Sequence, residues 1–154
     1  QAILVGTQTI IDDNPSLTVR DWTGENPIRV IIDKENSIDS SKNVFDNQAK
    51  TIVFSTKEVT SNSETIQNIK IAFDINSTQT IVEKLYENNI QSIIIEGGRK
   101  TIQSFIDANI WDEARVFIGE IKLHDGTKAP ELKKAIYSKR YLKKDTLLTY
   151  RNDD

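Results

Sequence analysis

Cysteine is missing from all 154 residues, and so is methionine. Without cysteine there are no disulfides and no thiolate metal sites, and the chain suits a reducing, cytoplasmic setting. The one histidine, His124, stands beside Asp125 and Gly126 and reads as a loop residue rather than a catalytic acid, so no metal centre is expected. No apolar run exceeds the length of a strand, so neither a membrane span nor a secretory signal is expected. A net charge of −3 provides no broad basic field for nucleic acid or anionic lipid, and any anionic ligand has to be captured locally. What is present, 37% hydrophobic and 28% charged residues, is the make-up of one ordinary globular domain spanning residues 1–154.

Within that domain, short Ile- and Val-rich runs alternate with helical patterns. Ala2 to Val5, Ile28 to Ile32, Thr51 to Phe54 and Ile93 to Ile95 read as strands buried on both faces of a parallel sheet, with Ile69 to Phe73 as a weaker fifth. Ile81, Val82, Leu85 and Tyr86 form the apolar stripe of a helix that Ser77 or Thr78 is placed to cap. Ile102, Phe105, Ile106 and Ile110 repeat the spacing on a second helix. Alternation of this kind predicts an α/β fold with right-handed crossovers. Glu58 to Asn68 reads as a polar loop. Arg115 to Ile118 reads as a further strand, and Ala135 to Leu142 with Thr146 to Arg151 as a hairpin turned at Lys143-Lys144-Asp145, adding antiparallel strands to one sheet edge.

The stretch IIIEGGRKTIQSFI, residues 93–106, carries the chemistry. A strand that ends in Gly97-Gly98 and turns into a helix offers unpaired backbone N–H groups and a positive helix end beyond the sheet's carboxyl edge. Such a turn is a ready phosphate site, although the glycines here do not follow the G-x-G-x-x-G spacing and two glycines also make a simple tight turn. Glu96, at the end of the most apolar strand, needs a partner: the helix start, Arg99 or a ligand donor. In LVGTQTIIDDNPSLTVR, residues 4–20, a strand again ends in glycine, Gly6, followed by the hydroxyls of Thr7 and Thr9, and Asn14-Pro15 forces a turn. Two such mouths in one sheet point to a cleft at the carboxyl ends of the strands, where the donor fork of Arg20 suits a phosphate.

Those residues carry a resemblance. AILVGTQTIIDDNPSLTVR, NPIRVIID and IIIEGGRKTIQSFIDANIWDEARVF resemble, in order, the reductase domain of the bifunctional riboflavin-biosynthesis deaminase/reductase. The resemblance implies a dihydrofolate-reductase-like fold, a mostly parallel mixed sheet flanked by helices with a C-terminal antiparallel hairpin. It implies NADPH as cofactor and reduction of the ribose of 5-amino-6-(5-phosphoribosylamino)uracil to the ribitylamino compound in riboflavin biosynthesis. By position, Thr9 and Asp13 would contact NADPH and Gly98, Arg99, Lys100, Thr101, Ile102, Gln103 and Ser104 would wrap its phosphates. Leu17, Arg20 and Glu96 would face the substrate. No residue is singled out as catalytic.

The family's reductase domain opens with a strand, a Ser-Leu-Asp-Gly loop and a helix ahead of the segment matched by Gln1, so the chain reads as a truncated domain. A zinc-dependent deaminase domain is expected further upstream in the full protein. A non-catalytic nucleotide-binding fragment and a related reductase of another heterocycle are the alternative readings. Lys139, Arg140, Lys143 and Lys144 read as guards of an exposed edge, and that edge suggests a homodimer. Trp22 reads as a surface residue, and Trp111 as core or subunit interface.

Overall fold

The computed structural model describes residues 1–60, 63–122 and 124–152. Its Ile- and Val-rich runs become β1 (Ala2–Gly6), β2 (Ile28–Ile32), β3 (Thr51–Ser55) and β5 (Ile93–Gly97), joined at one edge by β4 (Ile66–Lys70). These pair in parallel in the order β4-β3-β2-β1-β5. The chain therefore steps outward from β1 to β4, then returns through α2 (Ser77–Glu87) to lay β5 on the other side of β1.

Right-handed crossovers in opposite directions put their connections on opposite faces of the sheet. α2 and α3 (Arg99–Asp107) cover one face, where Ile81, Leu85 and Phe105 pack against Ala2, Leu4, Val30, Ile52 and Phe54. The other face receives α1 (Thr7–Asp13) and a 3-10 turn at Asn43–Phe45, where Ile10 and Val44 meet Val5, Ile31 and Val53. Val30 and Ile31, adjacent in sequence, serve different cores, as the period of two requires. Each fully buried Ile, Leu or Phe contributes about 1.5–3 kcal/mol by leaving water.

β6 (Glu113–Ile118), β7 (Ser138–Leu142) and β8 (Asp145–Arg151) form a separate antiparallel sheet in the order β6-β8-β7. The hairpin thus does not extend the parallel sheet. β8 uses one edge for β7 and the other for the whole of β6, so among the described residues none of its edge is left for β5. Its two-residue turn is Lys143-Lys144, with Lys143 left-handed at φ 50, and residues 135–137 precede the strand rather than belong to it.

Other boundaries also move. The fifth parallel strand is Ile66–Lys70, not Ile69 to Phe73; Ile71 and Phe73 pack into the core after the ladder has ended, which displaced the apolar signal. Most of the stretch read as a polar loop remains one, but its last residues enter β4, and residues 61 and 62 lie outside the described residues. Neither Ser77 nor Thr78 caps α2: the N-cap is Asn76, and Ser77 Oγ donates back to the Asp74 carbonyl at 2.6 Å. Ile110 packs beyond the end of α3.

Candidate active site

Strand order locates the site before any side chain is considered. In open α/β sheets ligands bind outside the carboxyl ends of the strands where the order reverses, and here the reversal falls between β1 and β5. Both strands end there in glycine and run directly into helices, Gly6 into α1 and Gly97-Gly98 into α3.

The two turns interlock. A Cβ on Gly6 would lie 2.6 Å from Thr101 Oγ1, so the first turn of α3 sits against the end of β1. Reciprocally, a Cβ on Gly97 or Gly98 would lie 3.2 or 3.3 Å from Thr9 Oγ1, so α1 packs against the Gly-Gly turn. The Gly97-Gly98 peptide is cis, and Gly98 has φ −83, a value any residue adopts. Close approach, not a left-handed backbone, is what glycine supplies here. Thr7 Oγ1 donates to the Ile32 carbonyl at 2.8 Å and fastens the start of α1 to the end of β2.

At α3 the first helical bond runs from the Ile102 N–H to the Gly98 carbonyl at 3.1 Å. The amides of Arg99, Lys100 and Thr101 are therefore left without a helical acceptor, and the Arg99 and Lys100 side chains are exposed beside them. Free amides at a positive helix end beside two cations are a donor set suited to a phosphate. In the next turn the side chains have other partners. Gln103 donates to Asp107 Oδ1 and the Glu131 carbonyl and accepts from the Glu131 N–H at 2.7 Å, and Ser104 Oγ donates to the Thr101 carbonyl at 2.7 Å. Ile102 is half-buried.

Glu96 occupies an irregularity in the ladder. Leu4 faces Ile95 and Val5 faces Gly97, so the pairing with β1 skips Glu96. A bulge of this kind re-aims a side chain, and the exposed Glu96 side chain has no hydrogen bond or ion pair among the described residues.

The remaining expected residues are spread along the α1 side. Thr9 is at the mouth, while Asp13 ends α1, exposed. Leu17 takes a left-handed backbone, φ 52, and packs beneath α1 against the Val5, Ile10 and Ile31 cluster. Arg20 is exposed and starts a loop pinned at its base. Asn26 accepts from the Val19 N–H at 3.0 Å and donates to the Gln48 carbonyl at 3.3 Å, at the opposite end of the strands from the glycine turns. The structure thus gathers Gly6, Thr7, Thr9, Glu96, Gly97, Gly98, Arg99, Lys100 and Thr101, and it places Leu17 and Arg20 along a path leading away from them.

Trp22, in the same loop, is 86% exposed. Trp111 lines a cavity of about 250 Å³ between the far end of α3 and residues 131–134, remote from both glycine turns.

One feature of the mouth was not read from the sequence, the acidic end of β2. Asp33 follows IRVII and is only 2% exposed. Its Oδ1 accepts from the Ser37 N–H and hydroxyl at 3.0 and 3.1 Å, and Oδ2 from the Ile38 N–H at 2.9 Å. An acid closing an apolar run in a β-α-β unit was the available signal.

Residues 1–130 match the family model described as the RibD C-terminal domain. This chain belongs to that family. Riboflavin biosynthesis protein RibD of Bacillus amyloliquefaciens is 34% identical over 140 residues, covering 86% of this chain and 38% of that protein. The 2,5-diamino-6-ribosylamino-4(3H)-pyrimidinone 5′-phosphate reductase of Aquifex aeolicus is 30% identical over 123 residues, covering 74% of this chain and 54% of that protein. A crystal structure of the deaminase/5-amino-6-(5-phosphoribosylamino)uracil reductase of Thermotoga maritima superposes with TM-score 0.83 at 28% identity, over 97% of this chain and 44% of that one.

Compared with these relatives, the chain spans between about two-fifths and just over half of their length. The RibD C-terminal match ends before β7 and β8, yet the Thermotoga superposition covers nearly the whole chain, so the small antiparallel sheet belongs to the fold of the RibD reductases. Within this RibD C-terminal domain, both switch-point turns and Glu96 fall inside the matched residues.

Proposed function

We propose that the domain binds NADPH at the two glycine turns and serves the reduction of the ribose of 5-amino-6-(5-phosphoribosylamino)uracil to its ribitylamino product. The observation that carries the reading is the meeting of Gly6–Thr7 and Gly97-Gly98 at the topological switch point of a RibD C-terminal fold. The amides of Arg99, Lys100 and Thr101 and the two adjacent cations would hold the cofactor's phosphates, with Gly98 allowing close approach. Thr9 lies at the same mouth, and Asp13, at the far end of α1, would reach the cofactor from further along that helix. Ile102, Gln103 and Ser104 support that turn rather than reach the ligand through their side chains. Bound NADPH supplies the hydride that the sugar's C1 receives.

Glu96, re-aimed by the irregularity and without a partner among the described residues, accepts hydrogen bonds from the pyrimidine N–H groups or the sugar hydroxyls. Arg20 would hold the ribose phosphate and Leu17 would line the substrate site, which requires the substrate to extend from the glycine turns along α1. Replacing Glu96→Gln keeps the shape and removes the charge. Its kcat/KM should fall by about 10- to 100-fold, the size of one charge-assisted hydrogen bond, in steady-state reduction followed by NADPH absorbance. An unchanged rate and affinity would remove Glu96 from the substrate site.

The reading as a whole is tested by NADPH titration followed by turnover. Binding without turnover makes the chain a nucleotide-binding piece, and turnover on another heterocycle alone assigns another reductase. The proposal includes a cytoplasmic protein with an associated deaminase domain and a homodimer. Supporting the dimer, β6 exposes Phe117 and Ile118 and β7 exposes Tyr141. Light scattering should return twice the chain mass, and a monomer at every concentration would exclude it.

A further inference from the structure

We propose that Asn43 is a positioning residue of the substrate site: paired with Asn14, it clamps the far end of α1 to the 3-10 turn and sets where Leu17 and Arg20 stand. The inference rests on the reading above, in which those two residues meet the substrate along α1. The helix cannot fix its own end. It has seven residues, no side-chain cap at its start and one buried anchor, Ile10, and helices this short do not hold together in water by themselves. Asn14 closes it in a left-handed conformation, φ 44, that asparagine tolerates better than most side chains, and its N–H returns to the Ile10 carbonyl at 3.1 Å. Pro15 follows and has no N–H to give.

The 3-10 turn supplies what α1 lacks. Asn14 Oδ1 accepts from the Asn43 N–H at 2.9 Å, and Asn43 Nδ2 donates to the Asn14 carbonyl at 2.9 Å, across 29 residues of chain. Two such bonds between one pair of residues fix orientation as well as distance. Lys42 Nζ donates to the Ile11 carbonyl at 3.0 Å, a cation at the negative end of the helix. The turn itself is rooted by Val44, 0% exposed in the Val5, Ile10 and Ile31 cluster.

From this clamp the chain runs straight to the residues assigned to the substrate. Leu17 packs on the same cluster as Val44, the Val19 N–H donates to Asn26 Oδ1 at 3.0 Å, and Arg20 comes next, exposed. Residues 14–19 are thus pinned at the start by Asn43, in the middle by Leu17 and at the end by Asn26. A loosened start shifts Leu17 and Arg20 together relative to α1. Asn43 is exposed, so truncating its side chain opens no cavity in the core. The glycine turns are held instead by Thr7, Thr9 and Thr101, which makes the expected loss one of substrate rather than of cofactor binding.

The test compares the parent, Asn43→Ala, Asn14→Gly and the double variant; glycine keeps the left-handed backbone while removing the acceptor. Calorimetric titration with NADPH and with 5-amino-6-(5-phosphoribosylamino)uracil is set beside steady-state reduction. Each single variant should weaken substrate binding and raise KM by about three- to tenfold, the size of one neutral hydrogen bond, with kcat and NADPH affinity within about twofold of the parent. Because the two bonds act as one clamp, the double variant should be little worse than the weaker single one. Substrate affinity unmoved in both single variants, even with a lowered melting temperature, makes the pair merely structural and overturns the assignment while the substrate reading stands. A fall in kcat at constant KM, or a loss confined to NADPH, overturns it as well. A parent that binds NADPH but not the aminouracil removes the substrate reading and the assignment with it.

Discussion

Gly6→Ala should destabilise the domain by about 1–3 kcal/mol and weaken nucleotide binding at the same time. The new methyl would lie 2.6 Å from Thr101 Oγ1, closer than real contacts allow. Thr101 is short and rooted in the first turn of α3, so it cannot swing away as a long side chain would. Relief has to come from moving the α3 turn off β1, and that turn carries the Arg99, Lys100 and Thr101 amides. Thermal unfolding and NADPH titration of the single variants and the double variant Gly6→Ala/Thr101→Ala measure the effect. Removing the Thr101 hydroxyl should restore stability in the double variant, with a coupling of about 0.5–3 kcal/mol. Affinity returns with it only if the Thr101 side chain makes no contact of its own with the phosphates. Gly97→Ala and Gly98→Ala should cost less, because Thr9 Oγ1 stands 3.2 and 3.3 Å from the added methyls and needs to yield only a few tenths of an ångström. Additive losses in the Gly6/Thr101 pair would show that the contact does not couple the turns.

That interlocking was not legible in the sequence, whereas its parts were. Glu96-Gly97-Gly98 drew attention because a charge and two glycines end an apolar run, and such types are costly or unusual there. Nothing local reveals that Thr9 meets the Gly97-Gly98 pair and Thr101 meets Gly6, since the partners lie some ninety residues apart. α1 escaped for a different reason. Its residues TQTIIDD are β-branched-rich, uncapped by any side chain and anchored by the single buried Ile10, so the helix exists by tertiary packing rather than propensity. The strands were legible as elements because parallel strands buried on both faces read as unbroken Ile and Val runs. Which strand pairs with which is a long-range choice. The hairpin was visible, but its attachment to β6 instead of the parallel sheet was not. Asp33 shows the same limit in the site: nothing in its residue type reveals that its carboxylate is buried and bonded to Ser37 and Ile38.

Asp46→Asn should lower stability at neutral pH by about 2 kcal/mol, and the gap to the parent should close below about pH 4. The reason is a charge in an unusual place. Arg29, on β2 between the sheet and the 3-10 turn, is 0% exposed, and its Nη1 donates to Asp46 Oδ1 at 2.8 Å and to the Val44 carbonyl at 3.0 Å. Among the described residues Nε and Nη2 have no partner, so Asp46 is the countercharge on which the buried guanidinium depends. Deleting one member of a fully buried pair costs about 3–5 kcal/mol, and the partial exposure of Asp46 brings the figure down. The hydrogen bond from Arg29 holds the Asp46 carboxyl below the usual carboxylate range. A carboxylate depressed in the folded state adds stability that is present above its unfolded value near 3.9 and is lost as pH falls through the folded one. Acid therefore does to the parent what asparagine does at pH 7. Denaturant melts of both proteins from pH 2 to 7 check this, and parallel curves would show that the pair does not titrate with folding. Arg29→Met removes the buried charge instead of stranding it, and should cost less than Asp46→Asn because Thr51 Oγ1 still donates to the Val44 carbonyl at 2.9 Å. The pair lies at the amino-terminal end of the strands, away from the glycine turns. Folded Asp46→Asn should therefore bind NADPH as the parent does, which separates this stability effect from the loss of binding expected of Gly6→Ala.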